Sequence, residues 1–273
     1  AVTGFTNGDL SVANGTLSAV SSSDGGITWT ATLTPTASVT DATNLITLNN
    51  TGVADAAGNT GSGTTDSNNY AIDTVRPTAS IVVADTALRI GETSLVTITF
   101  SEAVTGFNNA DLTIANGTLT AVSSSDGGIT WTATFTPTAS ITDATNVITL
   151  NNSDVADASG NTGSGTTDSN NYAIDTELPA APAIPDLAAG SDSGSSNSDN
   201  ITNDTTPTFS GTAEANSTVA VFAAATSLGS AVADGSGNWS LTVPGGSALA
   251  DGVYTITATA TDTAGNTSAS ASA

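Results

Sequence analysis

The feature that most constrains this chain is an internal copy. Residues 1–74 recur at 103–176 with a constant offset of 102, and only 11 of the 74 positions differ. Ala1-Val2-Thr3-Gly4-Phe5 returns as Ala103-Val104-Thr105-Gly106-Phe107, and both copies end in Tyr-Ala-Ile-Asp-Thr, at 70–74 and 172–176. Solenoid repeats run at about 20–50 residues, so a period of this size is a whole domain. The counterpart of residues 77–102 would lie before Ala1. The expected organisation is therefore an incomplete first domain at 1–74 lacking its first two strands, a complete near-copy at 75–176, and a third domain of different sequence at 177–273. The segment opens without Met and is expected to be part of something longer. Its first domain is then either a fragment or a sandwich completed by a strand from another copy.

Inside the repeat, apolar residues alternate with threonine. Val96, Ile98 and Phe100 are separated by Thr97 and Thr99, and Ile129, Trp131, Ala133 and Phe135 by Thr130, Thr132 and Thr134. That is the period of a half-buried strand with β-branched residues on its solvent face. Turn signals such as Asn116-Gly117 and Asp126-Gly127-Gly128 divide the runs. Strands are expected near 78–84, 94–101, 110–114, 117–122, 128–136, 145–150 and 167–174. Seven short strands in about 100 residues, without a helical period, describe an immunoglobulin-like β-sandwich. The last region repeats this grammar at 206–213, 217–223, 228–233, 238–243, 253–261 and 267–273, with a first strand within 181–188. A proline-rich joint, Glu177 to Pro185, precedes it and extends rather than flexes. The fold class is all-β: tandem immunoglobulin-like sandwiches arranged end to end.

Composition then removes whole classes of chemistry. The chain carries 25 acidic residues against two Arg, a formal net charge of −23, and has no His, Cys or Met. A Ser-His-Asp or Cys-His nucleophile, the usual zinc sites and a disulfide framework are thereby excluded. No lysine is present to form a Schiff base, and two arginines cannot neutralise a phosphate backbone, so nucleic acid is not an expected partner. No run of 18 apolar residues marks a membrane span, and no membrane insertion is expected for this segment. What remains is hard-cation chemistry on oxygen ligands.

The stretch Asn203 to Ala213 (NDTTPTFSGTA), together with Gly237-Asn238-Trp239-Ser240 and Ala250 to Asn266, resembles the bacterial immunoglobulin-like repeats of giant surface adhesins. The first two domains look like a companion family of adhesin repeats through Thr99 to Val104 (TFSEAV) and Val155 to Asn161 (VADASGN). The resemblance implies a long calcium-stiffened stalk on a bacterial surface, often exported by a type I system. The glycine-rich nonapeptide repeats that often accompany such stalks do not occur in these residues, which leaves the export route open.

One motif occurs in all three domains, at Asp55 to Asn59, Asp157 to Asn161 and Asp262 to Asn266. In a seven-strand sandwich the second strand and the penultimate strand both return to the N-terminal pole. Glu102 ends the second strand of the second domain and Asp157 follows its penultimate one, so both should face Asp73 in the preceding joint. The third domain offers Glu214, Asp262 and Asp175 in the same roles. Three carboxylates gathered at one pole repel one another and need a counter-ion. Ca²⁺, which takes six to eight oxygens in irregular loops, fits better than Mg²⁺. The blander alternative is that each motif is only a turn closed by an Asx hydrogen bond. Arg76 could instead pair with Glu102, but the third domain has Glu177 nearby and no arginine of its own, so an arginine cannot be the general device. Asp24 and Asp126 read as turn formers, Asp9 and Asp111 as solvated strand starts, and Trp29, Trp131 and Trp239 as core residues. The loop 192–200 with Asp204 could form a further site with a following domain.

The expected function is non-enzymatic: an extracellular stalk segment of a bacterial cell-surface adhesin, with Ca²⁺ at Asp73, Glu102 and Asp157 and at Asp175, Glu214 and Asp262. Its partners would be the neighbouring domains of the same chain. The alternative is a subunit of a self-assembling filament or S-layer, with other copies of itself as partners.

Overall fold

The computed structural model describes residues 1–272. Strands joined by turns and short 3-10 turns account for its regular structure, with no α-helix among the described residues. The second unit is the most complete. One of its sheets runs in the order Ala79–Val83, Ser94–Phe100, Thr130–Pro137, Gly117–Leu119, all antiparallel, with Ser123–Ser124 also pairing Thr130–Pro137. The opposing layer is broken into ribbons: Ala87–Arg89 with Tyr172–Asp175 and Thr142–Asn146, and Leu112–Ile114 with Ile148–Asn151 and Thr166–Asp168. Between the layers lie Ile81, Val96, Ile98, Phe135, Ile148 and Tyr172, the inward halves of the alternating runs. The threonines between them face outward, as β-branched residues do on a half-buried pleat.

The expected strands at 145–150 and 167–174 each break in two. Asn146, only 2% exposed, is the reason for the first break: its Nδ2 donates to the carbonyls of Asp143 and Tyr172, and the strand bulges there. At the second break Asn170 turns its amide across to the other sheet, where Oδ1 accepts from Val83 N–H and Nδ2 donates to Val83 O. A side chain there does the work of a ladder. The Ala87–Arg89 strand was not expected; it is too short to show alternation and runs parallel to Tyr172–Asp175.

Two assignments need correction. Asp111 is 8% exposed rather than solvated, because it closes a capping box on the 3-10 turn Asn109–Asp111, accepting from Asn108 N–H; Asp9 accepts from Thr6 N–H in the same way. Trp239 is buried and Trp131 packs edge-on against Phe107, but Trp29 borders an open hollow of about 700 Å³ with Val2, Phe5, Ile27 and Leu48.

The third unit pairs Asp186–Leu187, Thr208–Thr212 and Asn238–Thr242 in one sheet, and Thr226–Val232, Thr218–Ala223, Ile256–Thr261 and Ala271–Ser272 in the other. Phe209, Val219, Val221, Leu228 and Trp239 fill the space between. Its last two strands begin later than alternation suggests, at Ile256 and Ala271, with Thr267 making an isolated bridge to Thr261.

Candidate metal centre

The motif Asp-x-x-Gly-Asn folds alike in all three places, except that in the third Gly265 N–H, rather than the N–H of the residue two after the Asp, donates to Asp262 Oδ1. Asp157 Oδ1 accepts from Ser159 N–H (2.9 Å) and Asn161 N–H (2.8 Å), and Asn161 Nδ2 donates to Asp157 Oδ2 (2.8 Å). Asp55 with Asn59, and Asp262 with Asn266, repeat the arrangement. Each loop turns at a glycine in the left-handed region: Gly58, Gly160 and Gly265 have φ of 90°, 87° and 98°. The loop is therefore an Asx-type turn before it is anything else.

At the first joint the preceding strand brings its end to this turn. Asn161 Nδ2 also donates to Asp73 O (3.1 Å), and Ser159 Oγ donates to Asp73 Oδ2 (2.8 Å), while Thr40 Oγ1 holds Asp73 Oδ1 (2.9 Å). Those hydroxyl bonds, Ser159 first, hold the Asp73 carboxyl below the usual range. Glu102 arrives from the other side. Val104 pairs with Asp157 across the short Val104–Thr105 and Ala156–Asp157 ribbon, which pins Glu102 close by. Asp73, Glu102 and Asp157 each place an oxygen within 4.8 Å of the others. Burial, then the charges of Asp157 and Asp73, push the Glu102 carboxyl up. Two unit charges at that separation repel by about 3–4 kcal/mol at an effective dielectric near 20. Among the described residues the one ion pair is Arg89–Glu92, so no side-chain cation neutralises the trio. Arg76 lies at this joint but donates to Thr162 O (3.3 Å) rather than pairing with Glu102. A hard cation with oxygen ligands fits such a donor set.

The second joint is built differently. Asn266 repeats the tie, donating to Asp175 O (2.9 Å). Asp175, Glu214 and Asp262, however, do not gather into a group like the first. After Glu214 the chain turns back on itself, with Ser217 N–H and Oγ both donating to Glu214 O, instead of entering a ribbon beside Asp262; the Glu214 side chain is left exposed. Ala264 stands where the first joint has Ser159, so no hydroxyl draws the Asp175 carboxylate to the loop. An arginine does reach this joint, from the second unit rather than the third. Arg89, carried by the unforeseen strand, lies against Gly265.

Of the remaining acidic positions, Asp126 accepts from Ser124 Oγ and from Ile129 and Thr130 N–H, which hold its carboxyl down at about 2, and Asp24 does the same. Both are turn formers. Asp192 is 5% exposed, with Oδ2 accepting from Asn200 N–H (3.1 Å) across the loop. Sequence reasoning missed Asn161 and Asn266 as the ties between units, although the asparagine closes the motif in every copy.

Comparison with known proteins bears on what these units are. A family described as bacterial Ig-like domain matches residues 1–72 and again 73–174, and a second family of the same description matches 178–273. No curated protein matches the chain. Among solved structures it is similar to a 1.5-MDa bacterial ice-binding adhesin studied for retention at the host cell surface, at 21% identity over 85% of this chain and 72% of that one, with a TM-score of 0.39. It is also similar to a tetra-tandem repeat in the extending region of a large adhesion protein, at 20% identity over 97% and 68%, with a TM-score of 0.29. An adhesin of Yersinia pseudotuberculosis is 17% identical over 71% of this chain and 57% of its own length, with a TM-score of 0.27.

Proposed function

Since this chain belongs to the bacterial Ig-like domain families over nearly all its length, we propose that it is a stalk segment of a bacterial cell-surface adhesin. In this reading three domains, divided near residues 74 and 176, space an adhesive end from the cell, and the role is mechanical rather than enzymatic. The adhesin-like motifs of the sequence and the end-to-end order of the units support it. An acidic, lysine-free surface suits an extracellular setting and keeps neighbouring copies apart.

One observation carries the mechanism: the Asp73–Glu102–Asp157 group spans the boundary between the first and second units with no cation paired to it. Ca²⁺ held there would turn mutual repulsion into a bridge and stiffen the joint, while each core folds on its own apolar face. Calorimetric titration with Ca²⁺, and X-ray scattering with and without chelator, test this. Chelation should broaden the spread of maximum dimension with the β-sheet signal intact, and Glu102→Gln should weaken Ca²⁺ binding. Because the Glu102 carboxyl is raised, Ca²⁺ binding should weaken as pH falls toward it. An unchanged scattering profile on chelation, or undiminished binding by Glu102→Gln, would return the carboxylates to turn forming.

A second reading, self-association through the first unit, is favoured by the open hollow beside Trp29. Sedimentation velocity over a concentration series distinguishes it: a concentration-independent monomer excludes it.

A further inference from the structure

We propose that the second joint is a calcium-independent latch, in which the turn at Arg89 to Glu92 of the second unit docks the Asp262 to Asn266 loop of the third. The chain has only two cationic side chains, and both sit at joints, Arg76 beside Thr162 and Arg89 beside Gly265. Parallel pairing of Ala87–Arg89 with Tyr172–Asp175 sets Arg89 opposite Asp175, the residue at which the second unit hands over to the third. Gly91, at φ 81°, closes the turn, and Glu92 then grips Arg89 twice: Oε2 accepts from Arg89 N–H (3.1 Å) and Oε1 from Nε (2.9 Å). That grip fixes the guanidinium by its Nε edge and leaves Nη1 directed at the neighbouring loop. An arginine held this way loses little further freedom on docking.

The fit on the other side is specific. A Cβ built on Gly265 would run into Arg89 Nη1, whereas Gly58 and Gly160, at the same place in the sister loops, face open space. Ile90 N–H donates to Asn266 Oδ1 (3.0 Å), while Asn266 Nδ2 serves Asp175 O and Asp262 Oδ2 (both 2.9 Å). Asn266, 3% exposed, thereby ties the turn, the joint and its own loop together. A permanent positive charge thus reaches the loop that carries Asp262, at the one joint where the three carboxylates do not converge. The second joint thus meets through an arginine contact at Gly265, where the first offers a cation site; Arg89 itself pairs with Glu92 and with none of Asp175, Glu214 and Asp262. Only this contrast rests on the calcium reading of the first joint; the latch itself does not.

The cysteine-free chain allows spin labels to be placed at will. Thr134→Cys with Ser240→Cys reports the second joint, and Thr34→Cys with Thr113→Cys the first; all four positions are exposed. Chelation should leave the second-joint distance distribution unchanged, and Arg89→Gln should broaden it by about twofold, toward the free motion expected of domains with small interfaces. Gly265→Ala, whose added methyl meets Arg89 Nη1, should broaden it as well. Broadening of the second joint on chelation, or its indifference to Arg89→Gln, would overturn the latch. Indifference of the first joint to chelation would sink the calcium reading alone.

Discussion

The first and second units carry almost the same sequence and present it to water very differently. In the second, Ile148, Leu150 and Tyr172 are fully buried; their counterparts Ile46, Leu48 and Tyr70 are only half-buried. Among the described residues Ile72 is the one hydrophobic side chain of the first unit that is fully buried. The eight-residue strand Thr130–Pro137 shrinks to Leu33–Pro35, although seven of the eight residues are the same. Thr130–Pro137 runs beside Ser94–Phe100, and Ile81, Val96, Ile98 and Phe100 close over the core. Asn170 reaches across to Val83, whereas Asn68 donates only to Asn69 O. Alternation makes a segment able to be a strand; a neighbour decides whether it is one.

The comparison can be broken from the second unit. Ile98 is wholly buried, and Ile98→Asp places an unpaired carboxylate in the core at a cost of several kcal/mol. Hydrogen exchange should then find the amides of 130–137 as fast as those of 28–35, which are expected to exchange freely in the wild type. Persistent protection at 130–137 would show that this strand does not depend on its neighbour. The next largest effect comes from one substitution made in both units. Leu150→Ala should cost about 2–5 kcal/mol and Leu48→Ala less than about 1 kcal/mol, because only the former leaves a cavity. Urea unfolding of each variant measures the difference, and equal losses would mean that the first unit packs as tightly as the second.

Ser159 sharpens the comparison at a single hydroxyl, since Ala57 stands at the same place in the first copy. In Ser159→Ala the Asp73 carboxyl should titrate closer to its ordinary value, because the bond that lowers it most is gone. A depressed pKa stabilises above the unfolded value and loses that contribution as pH falls through the folded one. The variant should therefore lose less on acidification than the wild type, and identical Asp73 titration by NMR in both proteins would show that Ser159 does not hold it.

Much of this was legible in the residues. Alternating threonines mark the long strands, and the pole-to-pole path of a sandwich brings Asp73, Glu102 and Asp157 to one pole. The same reasoning overreached at Glu214, where equivalence of strand ends hid a local difference: Val104 re-enters a ribbon after Glu102, while the chain after Glu214 closes a turn. Arg89 was hidden because a three-residue strand has no period to read. Asn146 and Asn170 were hidden because a side-chain amide that replaces backbone pairing looks, in sequence, like any loop asparagine.

The smallest expected difference lies where the two units should agree. Asp24 and Asp126 each accept from a serine two residues before and from the backbone of the following turn, at nearly equal distances. Every donor lies within four residues of the carboxyl it serves, although Ser124 and Thr130 also belong to strands that the first unit does not form. Both carboxyls are held down at about 2 from an ordinary 3.8. A depressed carboxyl contributes stability that is whole above pH 3.8 and is lost as pH falls toward 2, and here the loss should be the same in both copies. Carboxyl resonances followed through an acid titration would give two matching midpoints near 2. A midpoint for Asp24 closer to 3.8 would show that the Asp-Gly-Gly turn is imposed by the sheet around it, and that even this local structure is borrowed from the neighbouring strands.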